Sequence, residues 1–181
     1  TLVSAIWRDI TENKARERAL SESENRLKTI TDSALDAILM LDAAGNISFW
    51  NPAAESIFGY RAEEALGNNL HRLIAPPHYH AAHATAFPLF MKSGDGADIG
   101  QTIEFTALRK DGTQITIALS LSSVHLNGQW HVVGIVRDIS ELKQNQAAME
   151  SALEEAETAN RATQEVLTHL EDLVNARTAE L

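Results

Sequence analysis

The last 43 residues, Ile139 to Leu181, restrict the possible folds of this chain more than any other segment. Positions spaced alternately three and four residues apart form a stripe along a helix, and eight of the thirteen are aliphatic or methionine. A helix cannot bury such a stripe alone, so the spacing predicts a parallel coiled coil with a second copy of the chain, in which an asparagine would fix the register. The expected seam contains Leu142, Met149, Leu153, Asn160, Leu167, Leu170 and Val174. The alternative is one long helix that folds back on its own domain.

A shorter helix is expected near the start of the chain. Residues 11–31 contain no glycine or proline, and Leu20 and Leu27 lie one heptad apart, which predicts a linker helix or short coiled coil. The stretch SAIWRDITENKARERAL, which begins at residue 4, repeats the pattern of VGIVRDISELKQNQAAM, which begins at residue 133. Both indicate a terminal strand that runs into a helix. We therefore expect residues 1–10 to be the tail of a preceding module, and a further segment to follow the last residue.

The middle of the chain, residues 32–138, alternates short apolar strands with glycine-containing turns. The expected strands are Ala37–Asp42, Asn46–Trp50, Gln101–Arg109, Thr113–Val124 and Gln129–Asp138. Asn51 is expected to cap a short helix that begins at Pro52. These elements predict an α+β domain, in which a five-stranded antiparallel sheet carries helices on one face.

Composition narrows the partners that such a domain could have. Twenty-five Asp and Glu residues against fifteen Lys and Arg give a net charge of −10, which disfavours nucleic acid and anionic membrane surfaces as partners. The absence of cysteine excludes disulfides, thiolate metal sites and a flavin–cysteine adduct. Apolar runs end well short of the roughly 18 residues that indicate a membrane span. The expected location is the cytoplasm.

Three histidines lie within six residues of the segment PPHYHAAHATAFPLF, residues 76–90. Helical periodicity places four aromatic side chains on one face, which we expect to point into the core. They are Tyr79, His83, Phe87 and Phe90. His83 is thus the inward-facing candidate ligand, although a catalytic metal held by His78, His80 and His83 would instead make the chain a metal-dependent enzyme. Three other histidines, His71, His125 and His131, are expected to be packing or surface residues.

Several separated motifs resemble the Per-Arnt-Sim (PAS) family of sensory domains, over about residues 32–143. They are GNISFWNPAAESIFGYRAEEALGNNL, LRKDGTQITIALSLS and WHVVGIVRDISELK, in that order. The resemblance implies a non-catalytic domain that binds a small ligand between its sheet and helices, or that only dimerises and relays a signal. It also implies that Asp138 and Ile139 couple the last strand to an output helix. Members of the family precede histidine kinases, diguanylate cyclases and chemoreceptor signalling domains.

Within that family, the segment around His83 is similar to the FixL-type oxygen sensors. Their haem-binding histidine lies eleven residues before the glycine that ends its helix, as His83 does before Gly94. Leu119 and Leu121 match apolar residues on the far side of the haem, whereas Ile103 lies where those sensors have an arginine that contacts oxygen. The resemblance implies haem b as a candidate cofactor, with His83 as the iron ligand and the other aromatic residues of its face lining the pocket. A domain without any cofactor is the alternative.

Overall fold

The structure is a computed structural model that describes the backbone of residues 2–96 and 98–179, and the side chains of residues 13–96, 98–168, 170 and 175. The chain divides into two compact units, residues 1–138 and residues 139–181. The first unit is built around one β-sheet, and the second is a single helix over its described residues.

Five strands form one antiparallel sheet, as the sequence predicted. They are β1 (Ala37–Leu41), β2 (Ile47–Trp50), β3 (Thr102–Leu108), β4 (Gln114–Leu126) and β5 (Gln129–Asp138). Their order is β2-β1-β5-β4-β3, so the last strand of the chain lies in the middle of the sheet. Side chains alternate between the two faces. The predicted α+β class is confirmed, and each expected strand agrees with the observed bounds to within two residues.

The connection from β2 to β3 carries the helices that cover the inner face of the sheet. They are α2 (Pro52–Phe58), α3 (Ala62–Ala65), α4 (Leu70–Ile74), a short 3₁₀ turn (Pro77–Tyr79) and α5 (His80–Ser93). Asn51 caps α2 as expected, because its side-chain oxygen accepts a hydrogen bond from the backbone N–H of Ala54. Helix α5 ends at Gly94, whose φ of 73° is left-handed and where a Cβ would meet the Trp130 ring.

The N-terminal segment differs from the expectation. Helix α1 (Leu2–Asp32) is continuous, so the strand expected within residues 1–10 is not formed. A strand needs a neighbouring strand for its backbone hydrogen bonds, whereas a helix satisfies them internally, and this segment contains no glycine or proline. The assignment of residues 1–10 to a preceding module stays a prediction. Leu20 and Leu27, the apolar pair of the expected linker helix, are 61% and 63% exposed.

Helix α6 (Ser140–Ala179) carries the predicted seam. Five of its apolar seam residues are between 51% and 76% exposed: Leu142, Met149, Leu153, Leu167 and Leu170. Asn160 is exposed too, while the side chains of Val174 and Arg177, and the whole of Leu181, lie outside the described residues. The exposed stripe agrees with the coiled-coil hypothesis, although pairing with a second copy stays a prediction. Across the described residues, no helix combines the length and apolar character needed to traverse a bilayer.

Candidate ligand site between helix α5 and the sheet

The inner face of the sheet is covered unevenly. At one end, which we call the packed end, Phe58 and Ile117 are 0% and 3% exposed. Further along β4, Leu119 and Leu121 of the same face are only half-buried, as is Ile103, which pairs with Leu119 across the strands. We call this second region, together with the inward face of α5, the open end. It is the part of the core that a ligand could still cover.

Aromatic side chains from the start of α5 onwards line the open end. The Tyr79 ring meets the Phe105 ring of β3 edge to face, with centroids 5.3 Å apart. Phe87 packs against the turn at Gly45, where a Cβ would lie 3.2 Å from the ring. Phe90 is 6% exposed, and its ring centroid lies 6.2 Å from that of Phe87. The face expected from the spacing therefore does point inward.

His83 is stacked on a second histidine. Its imidazole lies face to face with that of His71 from α4, with centroids 3.1 Å apart and an angle of 19° between the planes. The Phe87 ring lies 5.0 Å from His83. Both histidines are half-buried, and Nδ1 of His71 is buried without a hydrogen-bond partner among the described atoms. From its sequence position His71 was expected to be a packing or surface residue; its contact with His83 was not predictable, because no periodicity links a residue on α4 to one on α5.

Both imidazoles are held in the neutral form at neutral pH. Burial, together with the charges that His83 and His80 would carry, lowers the pKa of His71 to about 3. Burial also lowers the pKa of His83, and repulsion from a protonated His80 adds to the effect. A neutral imidazole keeps a nitrogen lone pair, which is the form that binds a metal ion.

The other two histidines of the segment contact different groups. His80 Nε2 donates a hydrogen bond to the backbone oxygen of Ala75 at 2.9 Å. The exposed His78 ring lies against Tyr79, with centroids 4.1 Å apart. Within the part of the chain that the structure describes, no three histidine or carboxylate side chains are placed to hold a metal ion. The hypothesis of a catalytic metal at His78, His80 and His83 therefore has no structural support.

The chemistry of the open end fits a haem group. Haem iron accepts a neutral imidazole as its proximal ligand, and haem is an apolar ring system for the most part. His83 supplies the imidazole, while Ile103, Leu119 and Leu121 supply half-buried apolar surface. The unpartnered Nδ1 of His71 is also typical of a polar site that is completed by a ligand. Haem bound here would provide an iron that takes up a diatomic gas or an electron.

Two ion pairs hold the C-terminal end of β5. Arg109 Nη2 lies 2.8 Å from Asp138 Oδ2, and both side chains are partly buried. Arg137 makes a two-point ion pair with Asp36, at the start of β1, with distances of 2.9 and 2.7 Å. Ile139, which is 7% exposed, is the one residue between β5 and α6. Asp138 therefore lies at a strand end that ion pairs hold, while the expected role of Asp138 and Ile139 in coupling strand to helix stays a prediction.

A cavity of about 490 Å³ lies away from these histidines. It opens between α1, β2 and α2, and its apolar lining includes Leu27, Phe49, Trp50, Pro52 and Ala62. Polar side chains of α1 and α2 form its rim, Glu24, Lys28, Thr31, Asp32 and Glu55. None of the residues expected from the sequence to bind a ligand contributes to this cavity.

Comparison with known proteins places this fold in a family. A family model described as PAS fold matches residues 25–139. Sensor protein FixL of Bradyrhizobium diazoefficiens is 32% identical over 148 residues, which are 82% of this chain and 29% of that protein. Oxygen sensor protein DosP of Escherichia coli is 31% identical over 125 residues, which are 67% of this chain and 16% of that protein. This chain thus spans less than a third of either relative.

A solved structure agrees with these matches. The PAS domain of an HTR-like protein from Haloarcula marismortui superposes with a TM-score of 0.58 at 28% identity, over 70% of this chain and 99% of that structure. The family model covers well over half of the chain. The chain therefore belongs to the PAS family of sensory domains.

Proposed function

We propose that this chain is the sensory and relay module of a larger signalling protein of the histidine kinase or diguanylate cyclase type, and that it works as a homodimer joined by its flanking helices. The observation that supports the dimer is the uncovered stripe of α6, where Leu153 and Leu167 are 59% and 51% exposed. Full burial of one leucine side chain contributes about 1.5–3 kcal/mol, so covering the stripe favours pairing. Asn160 within the seam favours two parallel helices in register.

Strand β5 offers the route from the ligand site to the output helix. It pairs with β4, which carries Leu119 and Leu121 of the open end, and it ends at Asp138. The ion pair with Arg109 holds that end, and only Ile139 separates it from α6. A small rotation or shift of β5 on ligand binding would therefore pass to the helix pair.

Sedimentation equilibrium tests the dimer. The full chain is expected to sediment as a dimer, and Leu153→Asp is expected to yield monomers because it places a charge in the seam. Ser151→Asp, on the opposite side of the same helical turns, is the matched control and is expected to leave the dimer intact. A monomeric wild-type chain, or equal masses for the two variants, would contradict pairing through this seam.

A second candidate function is haem-based sensing with His83 as the iron ligand. It is favoured by the neutral, half-buried imidazole beside half-buried apolar side chains. The relationship to a protein named as an oxygen sensor supports the same function. Because Ile103 lies where the FixL-type sensors have their oxygen-contacting arginine, we expect carbon monoxide, nitric oxide or redox state to be sensed rather than stably bound oxygen.

Titration with haemin tests this second function. The wild-type chain is expected to bind one haem and to develop a Soret band, which His83→Ala is expected to abolish. His131→Ala is the matched control, because His131 is also half-buried but lies on the outer face of the sheet. Wild-type protein that binds no haem would leave a relay module that senses something else.

A further inference from the structure

The stacking of His71 on His83 restricts the orientation of the His83 ring, which would bind the iron. The terminal torsion of a histidine side chain has a broad, roughly two-fold energy profile, so an isolated ring adopts several orientations. The centroid of the His83 ring lies 3.1 Å from that of the nearly parallel His71 ring and 5.0 Å from that of the Phe87 ring, which is tilted by 35°. These contacts limit its rotation before any ligand is bound.

We propose that His71 is a positioning residue of the ligand site, whose imidazole holds the His83 ring in a fixed orientation for binding a haem iron. The inference rests on the haem-based function proposed above. Its physical basis is preorganisation, since a side chain that is already immobilised loses less conformational freedom when it binds. The contact joins two short helical segments, α4 and α5, so neither segment alone could provide it.

The chemical nature of the group at position 71 also affects the electronic properties of the iron ligand. Iron-bound histidines are commonly oriented by a carboxylate or a backbone carbonyl, which makes the ligand more basic. Here the group in contact with His83 is a second imidazole, which carries no carboxylate charge. A carboxylate at position 71 would add negative charge beside the ligand, which stabilises ferric over ferrous iron.

The test uses the full chain loaded with haem and three substitutions of His71. His71→Ala removes the ring and is expected to weaken haem binding roughly 3- to 10-fold, the cost of immobilising one side chain. It is also expected to broaden or split the ferrous iron–histidine stretching band in resonance Raman spectra, because the His83 ring is then free to rotate. His71→Phe keeps a stacked ring and is expected to keep one narrow band.

His71→Asp provides a readout that packing alone would not change. Because it places a carboxylate beside His83, it is expected to move the reduction potential of the iron to more negative values. His131→Phe is the matched control: His131 is half-buried, and its Nδ1 likewise has no partner among the described atoms, but it lies on the outer face of the sheet. It is expected to leave affinity, band shape and potential unchanged.

The outcomes separate this inference from the function on which it rests. Wild-type protein without a Soret band overturns both. Haem binding that is lost in His83→Ala, but is the same in wild type and His71→Ala in affinity and band shape, overturns the role of His71 alone. A band in His71→Phe as broad as in His71→Ala shows that stacking does not orient His83. A potential unchanged in His71→Asp places residue 71 away from the iron ligand, and it also overturns the inference.

Discussion

Side chains at the packed end and at the open end of the same core differ in burial and in hydrogen bonding. At the packed end Asn51, 1% exposed, has both side-chain groups hydrogen-bonded, and Phe58 is fully buried. At the open end His71 keeps an unpartnered Nδ1, and Leu119 and Leu121 are only half-covered. Buried polar groups usually have partners, and apolar surface is usually covered. The difference supports the proposal that one end of this domain maintains the fold and the other takes a ligand.

The largest expected effect comes from truncating one phenylalanine at each end. Phe58→Ala is expected to lower the free energy of unfolding by about 3–5 kcal/mol, because it removes a fully buried ring that packs 5.3 Å from the Trp50 ring. Phe87→Ala, at the half-buried site, is expected to cost about 1–2 kcal/mol. Urea unfolding followed by circular dichroism measures both values. Equal losses would remove the distinction between the two ends.

A smaller difference in the loss of unfolding free energy is expected between alanine substitutions of the two asparagines that cap α2 and α4. The Asn51 oxygen accepts from the N–H groups of Ile38 and Ala54, each at 2.9 Å, and its Nδ2 donates to the oxygens of Thr31 and Asp36 at 3.0 and 3.1 Å. Asn51→Ala leaves these buried groups unpaired and is expected to cost about 2–3 kcal/mol.

The matched control for that substitution is Asn69→Ala. Asn69 caps α4 with a 3.3 Å hydrogen bond from the N–H of Arg72, and it is only half-buried, so its loss is expected to cost about 0.5–1 kcal/mol. The same unfolding experiment measures both. A cost for Asn69→Ala as large as that for Asn51→Ala would show that the open end is as tightly constructed as the packed end.

The smallest expected effect on stability is pH-dependent and comes from the ion pair of Asp36 and Arg137 near the packed end. The hydrogen bond from Arg137 lowers the pKa of Asp36, so the carboxylate stabilises the folded state above its ordinary pKa of 3.8 and loses this contribution as the pH falls through the lowered value. Because the Arg137 side chain is 68% exposed, water screens the pair, and Asp36→Asn is expected to cost less than about 1 kcal/mol at pH 7. Unfolding curves at pH 7 and pH 3 measure the difference, which should shrink at the lower pH.

A substitution at an exposed carboxylate is the control for assigning the pH-dependent stability to Asp36. Asp95→Asn, in the loop after α5, is expected to leave the free energy of unfolding unchanged at both pH values. A cost of Asp36→Asn that is the same at pH 7 and pH 3 would mean that its ion pair with Arg137 contributes nothing to stability.

The strands were predictable because the sequence patterns that define them are local. Alternating apolar residues and glycine turns define β1 to β5, and the caps at Asn51 and Gly94 are set by residues within a few positions of each other. The same kind of reasoning was wrong for residues 1–10, where likeness to the segment around β5 predicted a strand. In β5 the neighbouring strands β1 and β4 supply the hydrogen bonds, whereas the described part of the first segment is helical.

By itself the sequence determined the family, the order of the elements, the inward face of α5 and the apolar stripe of α6, because each depends on residue patterns within single segments and on the order of those segments along the chain. Only the tertiary structure decided that His71 lies against His83, that Asn51 joins α1 to β1, and that one end of the core stays half-covered. Those features depend on how separate segments pack in three dimensions, and no periodicity within a single helix or strand encodes the distance between two of them.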